Sequence, residues 1–415
     1  MSLIETQNAQ ERVVLVGVAL PEDTQQFEMS MIELASLAQT AGAEVVASYE
    51  QKRKKYDSKT LVGAGKLSEI SARVAADAID MVIVNNRLTP RQNSHLEAEL
   101  GVKVIDRMQL ILDIFAMRAH SHEGKLQVHL AQLKYLLPRL MGQGILLSRQ
   151  AGGIGSRGPG ESQLELNRRS IRQQIADIEH KLKQVEQNRQ ITREKRLTSE
   201  PFRIGLIGYT NAGKSTIMNL MTDHDHYEAD ELFATLDATT KQLYLRDHFQ
   251  ATLTDTVGFI QDLPTELVAA FKSTLEESRH LDLLLHVIDA SDPHQLEQEQ
   301  VVLEILRDLG MQHIPRLTIY NKMDLAQAFT ASAFPNIQLS AHDHSSRKRL
   351  RTWLVEQICE LFIPFSISVD QADFYKLYEL QKVAFLDDYH FEQRKENIKG
   401  YIASKNKWRL EGFYD

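Results

Sequence analysis

The octapeptide Gly208-Tyr209-Thr210-Asn211-Ala212-Gly213-Lys214-Ser215 constrains the fold of this chain more than any other part of it. It has the spacing Gly-x-x-x-x-Gly-Lys-Ser/Thr, follows the apolar run Ile204 to Ile207, and opens a helical stretch through Thr216 to Met221. A strand turning through glycines straight into a helix aims backbone amides and the positive helix end at one point. Such a unit belongs on a mostly parallel sheet covered by helices. The point suits a chain of phosphates, with Lys214 reaching the β and γ groups and Ser215, next to Thr216 in the first helical turn, ligating magnesium. A second candidate, Val62-Gly63-Ala64-Gly65-Lys66, lacks the upstream glycine and reads as a tight strand-to-helix turn.

Three more segments follow in a fixed order. Phe233-Ala234-Thr235-Leu236-Asp237 offers Thr235 as a second protein ligand of magnesium, while Leu232 and Phe233 serve equally well as packing. Asp255-Thr256-Val257-Gly258 closes a strand over Ala251 to Leu253. It supplies an acid to hold the metal through water and an amide at Gly258 to sense the γ phosphate. Asn321-Lys322-Met323-Asp324 follows a strand over Arg316 to Tyr320 and puts the two oxygens of Asp324 where they can accept from both nitrogen donors on the guanine edge. Adenine has no such pair, and a carboxylate left unpaired there is expensive, so ATP is rejected. Asn321 braces the loop, Lys322 covers the base, an amide in Ser340-Ala341 donates to the guanine oxygen, and His342 is expected beside the nucleotide. Lys214, Thr235, Asp255 and Gly258 are the expected catalytic set. Many switch GTPases carry a glutamine after Asp-x-x-Gly to orient the attacking water; this chain has Phe259, followed by Ile260. A phenyl ring cannot position water, so slow unaided hydrolysis is expected, with a partner supplying what is missing.

At 415 residues the chain is expected to hold two to four domains. An α/β rhythm fills residues 1–120 (apolar runs at Val13 to Val18, Glu44 to Ser48, Met81 to Val84 and Val102 to Ile105), a helical hairpin 121–200, the P-loop domain 201–363, and a small mixed domain 364–415. The hairpin is expected from two seams: Leu126, Leu130, Leu133, Leu137, Leu140, and Leu164, Ile171, Ile175, Ile178, Leu182, Val185. Paired antiparallel, they leave the glycine-rich segment 142–160 as an exposed tip. From Lys125 to Glu200 fourteen Lys/Arg face seven Asp/Glu, a basic segment in a chain of net charge −8. RNA contact through Arg149, Arg157, Arg168, Arg169 and Arg172 is weighed there against a flexible linker, and Lys52-Arg53-Lys54-Lys55 reads as a solvated turn. No apolar run reaches membrane-spanning length and the polar N-terminus lacks a secretory pattern, so a cytoplasmic protein is expected. The single cysteine, Cys359, is expected as a core thiol, which leaves no disulfide or thiolate metal cluster.

The run Gly152-Gly153-Ile154-Gly155-Ser156-Arg157-Gly158-Pro159-Gly160-Glu161, with Gly208 to Ser215, Phe233 to Asp237 and Asp255 to Phe259, resembles the HflX GTPases across nearly the whole chain. The resemblance implies a protein, expected as a monomer and without DNA as a partner, that binds the large ribosomal subunit. With GTP it would split stalled ribosomes during stress such as heat shock, its hairpin tip against ribosomal RNA near the peptidyl-transferase centre, and release GDP. The chain has Ala238 where the family commonly has proline, and its tail from Pro364 matches least clearly. The competing readings are a GTP-controlled scaffold binding a protein partner through the hairpin and an ATP-driven RNA helicase.

Overall fold

A computed structural model describes residues 10–22, 24–150, 159–194, 201–222, 233, 239–246, 248–256, 258–260, 280–327, 329–370, 373–387 and 395–413. The chain forms two compact units, the first taking in the chain to Gln190 and, from further along, Phe233.

In the first unit β1 (Arg12–Ala19), α1 (Thr24–Thr40), β2 (Glu44–Lys52), α2 (Ala64–Ala76), β3 (Met81–Val84), α3 (Pro90–Leu100), β4 (Lys103–Asp106) and α4 (Arg107–Arg118) alternate. The strands form one parallel sheet in the order β2-β1-β3-β4. β1 and β3 read as continuous apolar runs because helices cover both faces of a parallel sheet, and nearly all their side chains are buried. Local chemistry sets the helix starts: Thr89 and Gln92 form a reciprocal capping box ahead of α3 with Pro90 at its first position, and Asp106 caps α4 through the Gln109 amide.

Asp106 also holds the next element. It is fully buried, and its carboxylate accepts from Tyr135 Oη at 2.7 Å, Arg139 at 2.8 Å and the Leu88 amide at 3.1 Å. Tyr135 and Arg139 lie on α5 (His122–Gln150), which is followed by α6 (Pro159–Glu194). Leu130, Leu133 and Ile178 make a small buried cluster flanked by Leu126, Ile171, Ile175 and Leu182, and Lys134 pairs with Glu179 at 2.8 Å. These contacts bring Leu126, Leu130 and Leu133 of one expected seam together with Ile171, Ile175, Ile178 and Leu182 of the other. The expected tip is narrower than 142–160, because α5 runs on to Gln150 and α6 begins at Pro159. Leu146, Leu147, Arg149 and Gln150 are good helix formers, and Gly142 and Gly144 cost a helix only about 1 kcal/mol each. Residues 151–158, with Arg157, lie outside the described residues.

The second unit is built on six strands in the order β10-β9-β8-β5-β7-β6. They are β5 (Phe202–Gly208), β6 (Thr239–Tyr244), β7 (Gln250–Asp255), β8 (Leu283–Asp289), β9 (Arg316–Asn321) and β10 (Asn336–Gln338), and all pair in parallel except β6 with β7. Helices α7 (Lys214–Met221), α8 (Gln295–Asp308) and α9 (His344–Leu361) belong to this unit. Its core runs from Ile204, Leu206 and Leu253 to Leu350, Leu354 and Ile358, and half-buried Cys359 packs against it rather than within it. The tail adds β11 (Ile363–Asp370), α10 (Phe374–Gln381), β12 (Ala384–Leu386) and β13 (Lys395–Ile402), an antiparallel sheet in the order β11-β13-β12. It has apolar contacts of its own around Ile367, Leu377 and Ile398, yet Phe385 stacks on Phe249 at 4.2 Å within the larger core. Among the described residues no helix is long and apolar enough to cross a membrane.

Candidate functional site

β5 ends at Gly208 and α7 begins at Lys214, so residues 208 to 213 must reverse direction in a single loop at the carboxyl edge of the sheet. Asn211 sits at φ +61° and Gly213 at +91°. A side chain on Gly213 would land on the Asn321 amide, so the loop needs glycine there for space as well as for backbone angle. Lys214 is 7 % exposed, and its ammonium donates to the carbonyls of Tyr209 at 2.8 Å and Gly208 at 3.2 Å. Burial lowers its pKa to about 8, against the opposing pull of Asp255. An ammonium curled back on its own loop is held where an incoming phosphate can take over its hydrogen bonds.

Beside it, Ser215 Oγ donates to Asp255 Oδ2 at 2.7 Å, bringing a hydroxyl from α7 against the carboxylate that ends β7. Both donors are oxygen, the hard set that magnesium takes. Thr256 turns inward instead, its Oγ1 donating to the Leu206 carbonyl at 2.7 Å. Past it the chain zips onto the P-loop: the Phe259 amide donates to Gly208 O at 3.1 Å and the Thr210 amide to Phe259 O at 2.8 Å. The side chains of Phe259 and Ile260 are buried, 3 % and 0 % exposed. Gly258 is tightly walled, since a methyl carbon there would stand 2.8 Å from Thr210 Cγ2 and 3.0 Å from Lys214 Nζ.

The other end of the cleft hangs on β9. Asn321 Nδ2 donates to the Ala212 carbonyl at 3.1 Å, and Asn321 Oδ1 accepts the Ala341 amide at 3.0 Å. Lys322, at φ +59°, pairs with Asp289 at 2.7 Å, and half-buried Met323 donates its amide to Leu339 O at 3.3 Å. Asp324 and His342 are exposed, and Ser340 is half-buried.

Two expectations change at this level of detail. The Ala341 amide, expected on the base, is occupied by Asn321. Phe233, expected at the nucleotide, is 2 % exposed and meets Phe115 of α4 edge-on, ring centroids 4.5 Å apart, within the first unit. An aromatic ring gains more from a packed apolar site than from a wet phosphate site. Ala234, Thr235, Leu236, Asp237 and Val257 lie outside the described residues. Sequence reading missed Asp289, although an acid closing the apolar run Leu283 to Ile288 was a usable signal. It also missed His286, a lone polar residue inside that run, 1 % exposed, which burial first and then the charges of Arg316 and Lys214 hold neutral with a pKa of about 3.

One asparagine thus ties the loop after β5 to the segments that follow β9 and β10, and a P-loop so braced on a mostly parallel sheet makes this a P-loop GTPase. Residues 28–116, 118–196 and 203–322 match family profiles described as GTP-binding GTPase N-terminal, GTP-binding GTPase Middle Region and 50S ribosome-binding GTPase. The chain is 46% identical over 388 residues to the GTPase HflX of Alkalihalophilus pseudofirmus, covering 93% of this chain and 92% of that one. It is 44% identical over 327 residues to the GTPase HflX of Escherichia coli, covering 79% and 76%. The chain belongs to the HflX GTPase family. A solved GTP-binding protein from Sulfolobus solfataricus in complex with GDP aligns over 85% of this chain and 100% of that one, at 24% identity and a TM-score of 0.45.

Proposed function

We propose that this GTPase is a magnesium-dependent switch that binds the large ribosomal subunit and couples GTP binding and hydrolysis to the splitting or rescue of stalled ribosomes under stress. The observation that carries the reading is the pair α5 and α6, basic and long, on the same chain as the nucleotide cleft. The 36 residues of α6 span about 54 Å at helical rise, ample reach for a contact with RNA. The family profile over 203–322, a 50S ribosome-binding GTPase, supports the same partner.

In this reading the amides of the loop from Asn211 to Thr216 and the Lys214 ammonium bind the phosphates, with residues 208 to 210 shaping the loop. Ser215, Thr235 and Asp255 would hold magnesium, Asp255 through water, and the ion would neutralise charge developing on the phosphates. Asp324 accepts from the guanine edge, Lys322 lies over the base, the Ser340 amide donates to the guanine oxygen, and His342 lies beside the base. Thr235 and Gly258 report the γ phosphate to their loops, which fall slack after hydrolysis. Hydrolysis is slow alone and rises on the ribosome. Residues 1–120, 121–200, 201–363 and 364–415 act as four functional parts of a cytoplasmic monomer.

Sedimentation with isolated large subunits, comparing GDP with a non-hydrolysable GTP analogue at two salt concentrations, tests this. Co-sedimentation that needs the GTP analogue and weakens with salt is expected. Absence of binding in both nucleotide states overturns the ribosome reading and turns the search to a protein partner for α5 and α6.

A further inference from the structure

The position of Phe259 leaves the water-positioning role without an evident owner among the described residues. Its backbone is pinned to Gly208 and Thr210 and its ring is buried, so neither the ring nor its neighbour Ile260, 0 % exposed, can turn a polar atom toward a phosphate. Among the described residues, a replacement has to be a polar side chain beside Gly258 and Lys214 with hydrogen-bonding capacity to spare.

Thr210 meets each condition. It is 7 % exposed, and its Oγ1 is buried without a hydrogen-bond partner. A buried hydroxyl in that state is costly, and such a cost in a folded protein calls for an explanation. The residue is not loosely held: its amide is fixed to Phe259 O at 2.8 Å, and its methyl closes against Gly258, on the same side as the Lys214 ammonium. Most P-loop contacts come from backbone amides, which only donate. A threonine hydroxyl donates and accepts at once.

We infer that Thr210 is a catalytic residue for GTP hydrolysis, its hydroxyl accepting a hydrogen bond from the attacking water while donating its own proton to a γ-phosphate oxygen. Thr210 then does part of what a glutamine at position 259 would do. The chemistry is unchanged in balance: the water oxygen bonds to the γ phosphorus, the bond from that phosphorus to the β–γ bridging oxygen breaks with its electron pair passing to GDP, and both of the water's protons leave on inorganic phosphate as H2PO4−. The Thr210 hydroxyl keeps its proton throughout. The inference rests on the GTPase site proposed above and is independent of any ribosomal partner.

The test compares wild type, Thr210→Val and Thr210→Ser as full-length proteins. Fluorescent GDP and GTP-analogue affinities, single-turnover hydrolysis of saturating GTP with magnesium, and thermal unfolding without nucleotide are measured on each. Valine keeps the methyl that packs on Gly258 and removes only the hydroxyl. The expected result is nucleotide affinity within about threefold of wild type, hydrolysis slowed about 10- to 100-fold, and an unfolding temperature without nucleotide unchanged or raised, because an unsatisfied hydroxyl has gone. Serine restores most of the rate. Unchanged hydrolysis in Thr210→Val overturns the inference, as does parallel loss of affinity and rate, or a clear loss of stability, either of which would make the hydroxyl a binding or structural group. A wild-type protein that binds GTP and never cleaves it, with or without large subunits, overturns the proposed function itself and the inference with it.

Discussion

Asn321 Nδ2 lies 3.1 Å from the Ala212 carbonyl, so the loop that follows β9 is tied directly to the loop between β5 and α7. The same side chain takes the Ala341 amide, and one residue therefore satisfies buried polar groups from two other segments.

Replacing Asn321 with alanine orphans both partners. At about 1 to 3 kcal/mol for each buried group left unpaired, GDP affinity is expected to fall by a factor on the order of 100, with a smaller loss of stability. Fluorescent GDP titration beside denaturant unfolding separates the two. An affinity within threefold of wild type would mean the loops hold their spacing without the asparagine.

Base choice should be reversible at one atom pair. Exposed Asp324 offers two acceptors, whereas an amide offers one acceptor and one donor, which suits a base carrying an oxygen where guanine carries its exocyclic amine. Asp324→Asn is expected to bind GTP at least about 100-fold more weakly and to prefer the xanthine nucleotide. Competition between the two nucleotides for a fluorescent analogue reads this directly, and retained guanine preference would remove Asp324 from base recognition.

His286 gives the unit a dependence on acid. Its folded pKa is depressed from 6.5 to about 3, so between those values the unfolded chain binds more protons than the folded one, and stability falls as the pH is lowered through that window. The slope approaches about 1.4 kcal/mol per pH unit for one such group. His286→Leu is expected to flatten the unfolding free energy between about pH 3 and 6.5, measured by denaturant titration. An identical pH profile would mean the imidazole finds a way to ionise in place.

The Asp106 carboxylate is the place to weaken α5. Tyr135→Phe removes one of its hydrogen bonds and is expected to cost about 1 to 2 kcal/mol. Arg139→Met leaves a buried charge without its ion pair and is expected to cost about 3 to 5 kcal/mol. Hydrogen exchange should quicken along α5 in both variants. Equal effects of the two would argue that charge is irrelevant at this site.

Arg169 and Arg172 sit exposed on α6. If they contact RNA phosphates, Arg169→Gln and Arg172→Gln should each flatten the salt dependence of large-subunit binding by roughly one unit of log–log slope, while GTP affinity stays as it was. Equal slopes for variant and wild type would place RNA contacts elsewhere.

Much of the cleft was readable without coordinates because its chemistry is local. Gly208 to Ser215, Asp255 to Gly258 and Asn321 to Asp324 are short runs with characteristic spacing, and each follows an apolar run long enough to betray a strand. The seams at Leu126 to Leu133 and Ile171 to Leu182 were readable for a similar reason, since helical periodicity is written in consecutive residues. Relationships across many residues were not. That Asn321 reaches Ala212 and Ala341, that Phe259 folds down on Gly208 and Thr210, that Phe233 packs on Phe115, and that Asp106 holds Tyr135 and Arg139 all depend on which segments the sheets bring together. The sequence by itself determined which chemical groups the protein carries and in what order. Only tertiary structure decided which of them are buried, satisfied or left with capacity to spare, because those properties belong to the neighbours a residue meets in space.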